Sequence, residues 1–298
     1  MIRIAIVGYG NVGRCVYDAL TAAKDMELVC VVESPDVQIA HGMSGIWVTD
    51  IKDICSHGGI DAAILSLPSR LCPEIAEQLL SMGIRTVDSF DIHGEIWDVR
   101  IRLDKAAKKH GTASIMAAGW DPGSDSVMRA LFEAMAPNGL TYTNFGPGMS
   151  MGHSVAAKAV EGVKSALSMT IPAGSGVHRR MVYVELKEGA NPDDVAAGIK
   201  ADPYFAHDET HVIAVDDVNA LLNVGHGVEI IRNGVSGKTH NQRITFGLKI
   251  NGPALTGQML VSAARAIVKC APGCYTLPEI PVIDLLPGER EKIIRQLV

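Results

Sequence analysis

The chain begins with a β-branched run, Ile2 to Val7. Gly8-Tyr9-Gly10-Asn11-Val12-Gly13 follows at once, and apolar residues then recur at helical spacing from Val12 to Ala23. A strand, a G-x-G-x-x-G turn and a helix in that order admit few folds, because each glycine answers a separate steric demand. Gly8 permits the tight turn, Gly10 lets a pyrophosphate approach the backbone, and Gly13 lets helix and strand pack closely. The helix N-terminus then receives the anion through its N–H groups and dipole. Tyr9, Asn11 and Val12 belong to the same candidate loop.

Up to about Gly119 the texture repeats. Strands are expected at Ile2–Val7, Glu27–Val32, Ala62–Leu67, Thr86–Asp88 and Thr112–Ala117, with helices at Val12–Ala23, Pro73–Met82 and Glu95–His110 between them. Alternation of this kind predicts βαβ units, an α/β fold with a doubly wound parallel sheet of the Rossmann type. After Trp120 longer alternating strands, such as Met181–Leu186, Val228–Ile231 and Ile244–Ile250, point to a second, α+β domain with a mostly antiparallel sheet. Asn233-Gly234 and Ser236-Gly237 supply the residues a hairpin turn needs. A long helix over Pro253–Ala271 and a short one over Glu289–Leu297 are expected to return to the first domain. The chain of 298 residues thus divides into a dinucleotide-binding domain, 1–120 completed by 255–298, and a substrate domain, 121–254.

Glu33 lies 20 residues beyond Gly13, at the end of the second strand. An acidic side chain there accepts hydrogen bonds from both ribose hydroxyls and repels a 2′-phosphate, which favours NAD; Ser34-Pro35-Asp36 brings no compensating cation. Ser34, Leu67 and Pro68, at strand ends, complete the cofactor candidates. A net charge of −6 with singly scattered Lys and Arg argues against nucleic acid and anionic membranes as partners. No secretory leader and no apolar run of about 20 residues is visible. Six cysteines without a C-x-x-C pair suit reduced thiols, so a cytoplasmic location is expected.

Three glycine-rich turns gather polar and aromatic residues: Asp88 to Asp91, Trp120-Asp121-Pro122-Gly123, and Phe145 to Ser154. Two of them follow strands of the parallel sheet, where the nicotinamide must lie. Asp91 and Asp121 are expected to approach one another there and to hold an ammonium group by charge-assisted hydrogen bonds, although Asp121 could instead cap a helix. His153 is a candidate for moving protons near neutral pH.

With G-Y-G-N-V-G, the W-D-P-G turn, Gly146-Pro147-Gly148-Met149-Ser150-Met151-Gly152-His153-Ser154, and Val224-Gly225-His226-Gly227, the chain resembles meso-diaminopimelate dehydrogenases over nearly its whole length. The resemblance implies a homodimeric oxidoreductase that normally uses NADP and converts the D-centre of meso-diaminopimelate to a keto acid and ammonia. It assigns the reacting amine to Asp91 and Asp121, and the pocket around it to Trp120, Phe145, Met151 and Gly152. It assigns the distal L-centre to Thr170, Arg180 and His226, with Asn251 as a further ligand. The chain departs from that pattern at Glu33 and Ser34, where basic residues are usual, and at Gly252, where asparagine usually precedes the proline of the long helix.

Other readings compete. Gly148-Met149-Ser150-Met151-Gly152 matches a hydrolase nucleophile elbow, with Asp217 and His226 in the required order, but the strand is expected to end at Phe145, too early for Ser150 to stand at its tip. His207-Asp208-Glu209-Thr210-His211 lacks the acid order of a zinc helix, and no metal is expected. Sugar oxidoreductases and a non-catalytic dinucleotide sensor share the first half.

Overall fold

A computed structural model describes residues 1–37, 46–221 and 225–298, without the side chains of His57, Met151 and Gly152. Two units divide it: Met1–Ala130 with Pro253–Val298, and Leu131–Gly252.

The first unit is built on parallel strands β1 (Ile2–Val7), β2 (Met26–Val32), β3 (Trp47–Val48), β4 (Ala62–Leu65), β5 (Arg85–Asp88) and β6 (Ala113–Ile115), in the spatial order β3-β2-β1-β4-β5-β6. Side chains alternate across a strand, so each strand feeds two cores. Ile4, Ile6, Ala62 and Ile64 meet Val16 and Leu20 of helix α1 (Asn11–Ala22). Ala5, Val7, Ala63 and Leu65 meet Leu79 and Leu80 of α2 (Cys72–Ser81) and Leu103 and Ala107 of α3 (Ile96–His110). Helix α3 stops at Gly111, in the left-handed region at φ +66°, after Lys108, Lys109 and His110 in its last turn; the cations complement the helix dipole and the glycine accepts the reversed φ.

Helix α4 (Ser124–Met135) carries the chain out of the first unit, starting just after the turn where the boundary at residue 120 was expected. The second unit contains β7 (Asn138–Phe145), β8 (Gly148–Met149), α5 (Met151–Ala159), β9 (Val163–Gly174), β10 (Val177–Leu186), α6 (Pro192–Ala201), β11 (Glu209–Ala214), β12 (His226–Ser236) and β13 (Thr239–Ile250). These strands form two sheets, β8-β9-β10-β11 and β7-β12-β13. Pairing is antiparallel except between β10 and β11, where the connection through α6 is long enough for a parallel crossover. The β12–β13 turn uses Gly237, at φ +61°, and not Asn233-Gly234. Those two residues lie inside β12 opposite Leu140 and Gly139. A Cβ on Gly139 would sit 2.1 Å from the Asn233 carbonyl oxygen, so small residues here serve close backbone approach rather than a turn.

The chain rejoins the first unit through α7 (Gly252–Ile267), β14 (Gly273–Tyr275) and α8 (Arg290–Leu297). Helix α7 ends four residues before the expected Ala271, because Lys269 and Cys270 donate to the carbonyls three residues back and tighten the last turn. Strand β14 pairs in parallel with β6 and becomes the outer strand of a seven-stranded sheet. Arg265 of α7, 6% exposed, grips Asp25 through Nε and Nη2 at 2.5 and 3.0 Å and the Leu285 carbonyl through Nη1 at 3.0 Å. Among the described residues, no helix is long and apolar enough to cross a membrane.

Candidate active site

In the first unit the glycine loop joins β1 to α1. Gly8 has φ +92°, and a Cβ on it would lie 2.6 Å from the Ser66 carbonyl oxygen and 2.9 Å from Leu67 Cδ2. A Cβ on Gly13 would lie 2.2 Å from the Gly8 carbonyl oxygen, whereas one on Gly10 would meet nothing within 4 Å among the described residues. Two glycines therefore close the turn and the third leaves an open approach to the backbone. Gly10 is the N-cap of α1 and gives it no side-chain cap, and no acidic residue occupies its first turn. An uncapped helix N-terminus beside open space fits a dinucleotide pyrophosphate. Leu67 and Pro68 lie on the loop after β4, and Leu67 packs against that turn.

Glu33 follows β2 directly. One carboxylate oxygen accepts the Tyr9 N–H at 2.8 Å and the other the Ser34 N–H at 2.7 Å, which ties the acid to the glycine loop. Tyr9 turns away from the loop into the core, edge-on to Tyr17 and Trp47, so what it presents to the loop is its backbone N–H, held by Glu33. Ser34 is exposed.

Asp91 and Asp121 lie on adjacent loops, after β5 and after β6, each with its own partner. Ser69, on the loop after β4, donates its hydroxyl to Asp91 at 2.5 Å and accepts the Asp91 N–H at 3.2 Å. Asp121 is 12% exposed and lies 3.7 Å from Nη1 of Arg129. The same nitrogen is 2.7 Å from Asp125, which is fully buried. Burial, followed by the hydrogen bond to and repulsion from Asp121, raises the Asp125 carboxyl to about 8, against the lowering effect of Arg129. Trp120 is half-buried, and its carbonyl accepts the Asp125 N–H at 3.1 Å. Asp88, buried under this loop, is raised by burial to about 6 while the Phe90 and Ala117 N–H groups hold it down.

In the second unit the G-P-G turn sets the geometry. A Cβ on Gly146 would lie 2.0 Å from the Thr170 carbonyl oxygen, and one on Gly148 would lie 2.6 Å from the His226 Cα. These contacts bring Phe145, Thr170 and His226 together. The Phe145 N–H donates to His178 Nε2 at 2.8 Å, and its ring stands 5.8 Å from the His178 ring and 6.5 Å from the His226 ring. Thr170 and Arg180 are register partners on β9 and β10. Arg180 donates through Nη1 to the Thr170 hydroxyl and through Nε to Asp208 at 2.6 Å. Its Nε and Nη1 are thus both engaged within the protein. Asn251, directly after β13, is exposed.

His153 Nδ1 is 2.8 Å from the Ser150 hydroxyl, with its ring edge-on to Tyr204 and Phe205. Burial first, and then Arg180, lower its pKa, so it is neutral at neutral pH. Ser150 occupies the N-cap position of α5, without a side-chain cap, directly after the short strand β8, the strand-to-helix position that the sequence reading denied it. Its imidazole partner is His153 and not His226, whose Nδ1 accepts the Gly227 N–H; Asp217 accepts the Asn219 N–H. In the His207 to His211 segment, Asp208 pairs with Arg180, and Glu209 with Arg179 and His211, which explains both acids as ion-pair partners.

Residues 119–178 match the family described as the diaminopimelic acid dehydrogenase C-terminal domain. The chain is 57% identical, over 100% of its length and 99% of the relative's, to the meso-diaminopimelate D-dehydrogenase of Bacteroides fragilis. The chain belongs to the meso-diaminopimelate D-dehydrogenase family. Two solved structures agree with this membership in fold. A mutant meso-diaminopimelate dehydrogenase of Clostridium tetani, solved with diaminopimelate, superposes with TM-score 0.90 at 31% identity, covering 100% of both chains. An engineered D-amino acid dehydrogenase bound to NADP+ superposes with TM-score 0.81 at 26% identity, covering 100% of this chain and 99% of that one.

Against this family background, Met151 and Gly152 have side chains outside those described, and Val224 lies outside the described residues. Sequence reasoning passed over Ser69, Asp125, Arg129 and His178, and weighed Asp208 only as part of a metal cluster and not as the partner of Arg180. Asp121, Asp125 and Arg129 are spaced by four, a helical period that signals one face of a helix start. No comparable local signal exists for Asp208 or His178, which reach their partners only through strand pairing.

Proposed function

We propose that this chain catalyses the reversible, NAD(P)-dependent oxidative deamination of the D-centre of meso-2,6-diaminopimelate to L-2-amino-6-oxopimelate and ammonia. The full-length identity of 57% to a meso-diaminopimelate D-dehydrogenase carries this reading. The uncapped helix beside Gly10 fits a dinucleotide, whose nicotinamide supplies a hydride acceptor when bound. NADP is usable here, with a weaker preference than in relatives having basic residues after β2, because Glu33 is fixed at the glycine loop; NADP+ in the engineered D-amino acid dehydrogenase supports the class of cofactor.

Asp91, steadied by Ser69, and Asp121 hold the reacting amine. Trp120, Phe145, Met151 and Gly152 orient the carbon that bears it. Thr170, Arg180, His226 and Asn251 receive the distal L-centre, with the Arg180 fork suited to a carboxylate. His153, neutral and held by Ser150, can pass protons as water attacks the imine. Positioning supplies most of the rate, since well-oriented partners gain roughly 7–11 kcal/mol. The same reading makes the enzyme a cytoplasmic homodimer, a location supported by six cysteines carried as thiols. Initial rates with meso-diaminopimelate, measured separately with NAD and NADP, test it: turnover with at least one cofactor is expected, and none with either overturns the assignment.

A further inference from the structure

Amino acid oxidation requires the substrate ammonium to lose a proton before its Cα hydrogen can leave as hydride, and none of the roles above accounts for that proton. The turn after β6 holds two carboxylates on one guanidinium nitrogen: Arg129 Nη1 lies 2.7 Å from Asp125 Oδ2 and 3.7 Å from Asp121 Oδ1. Those same two oxygens are buried and, apart from the contact of the two carboxyls with each other, accept no well-directed hydrogen bond from a described group. A pair of buried acceptors facing one cation is short of a donor, and a single proton shared between them supplies it.

We propose that Asp121 and Asp125 act as one proton-accepting unit for the substrate ammonium, with Asp121 touching the amine and Asp125 the positioning residue behind it. This rests on the proposed function above. In the step, one N–H bond of the ammonium breaks, the electron pair stays on nitrogen, and the proton bonds to a carboxylate oxygen of the pair. Two carboxylates and a cationic ammonium become one shared-proton pair and a neutral amine, so charge is conserved. Two adjacent carboxylates hold the first proton far more tightly than one does, which matches the acceptor to neutral pH better than a lone aspartate. Besides Asp121, the charged group acting on Asp125 is Arg129, one helical turn on. Asp125 is at the start of α4 and fully buried, so water does not compete for its proton.

The test is the pH profile of kcat for deamination, which reports groups in the substrate complex. Activity should rise with pH as the pair loses its shared proton. Asp125→Asn leaves a lone carboxylate at Asp121, and should move that limb down by at least about one pH unit while lowering kcat by at least about tenfold. Arg129→Met removes the cation that favours ionisation and should move the limb the other way. Cofactor affinity, followed by fluorescence in each variant, should be unchanged and serves as the check on folding. Independently of turnover, infrared titration of the ligand-free protein should show a carboxyl protonating at about 8, apart from the Asp88 carboxyl at about 6, and Asp125→Asn should abolish the higher signal alone. Superimposable kcat profiles in all three proteins, or an infrared signal unaltered by Asp125→Asn, overturn the proposal. Should the unmodified chain not oxidise meso-diaminopimelate, the functional reading fails instead, and the infrared titration still decides the pair.

Discussion

Replacing Glu33 by arginine probes cofactor choice and the glycine loop together. The carboxylate accepts the Tyr9 and Ser34 N–H groups at 2.8 and 2.7 Å, so the substitution removes both a loop acceptor and a negative charge. Losing the bond to Tyr9 costs about 1–2 kcal/mol. Both cofactors lose it alike, because both lay the same pyrophosphate on the same loop. They differ at the 2′-phosphate, where a repulsion gives way to a paired charge worth about 1–3 kcal/mol. The ratio of kcat/KM for NADP to that for NAD should therefore rise roughly 5- to 150-fold, even if each constant falls. Glu33→Gln separates the contributions, since it removes the charge while an amide oxygen can still accept from Tyr9; its ratio should rise by a smaller factor. Steady-state kinetics with each cofactor at saturating meso-diaminopimelate measure it. A ratio unchanged in both variants would show that Glu33 does not face the adenosine ribose and refute the argument.

Three further outcomes are expected. Asp121→Asn should lower turnover by at least about tenfold with dinucleotide affinity nearly unchanged in a fluorescence titration; ordinary kinetic constants would remove Asp121 from the site. Arg180→Ala should cost meso-diaminopimelate about 1.5–3 kcal/mol, roughly 10- to 150-fold in kcat/KM, and a D-amino acid without the distal end much less; equal losses would make Arg180 structural. Folding raises the Asp88 pKa from 3.8 to about 6, so the folded chain binds the extra proton in that window and loses stability as pH climbs through it, by about 3 kcal/mol in all. Asp88→Asn should flatten that slope while keeping an oxygen for the Phe90 N–H, as urea unfolding at the two ends of the window would show.

What was legible in the sequence follows the range of the interactions. The parallel strands from Ile2 to Ile115 and their covering helices announced themselves through β-branched runs and helical spacing within single segments. Trp47–Val48 and Gly273–Tyr275 did not, since a two- or three-residue strand has no period of its own and exists because Val31 or Ala113 offers it a ladder. Gly148–Met149 escaped for the same reason, and with it the placing of Ser150 at a strand end. At the site, residue types could be read singly but their partners could not. Asp125 has the look of an ordinary acid in a first helical turn, and Asp208 of a solvated cluster. Arg180 meets Thr170 only once β9 and β10 are in register.

The order in which the sheet is assembled also has a cost during synthesis. Strand β6 is made early, while its outer neighbour β14 is among the last segments to leave the ribosome. Until then Ala113–Ile115 presents an open backbone edge, the kind of surface that templates pairing with another chain. All of Leu131–Gly252 has by that time been made and can fold, so the long-range closure at β14, fastened by Arg265 to Asp25 and Leu285, is a late step governed by loop entropy rather than local propensity. A nascent or truncated chain lacking its final segment accordingly keeps that edge open and lacks the Arg265 fastening to Asp25.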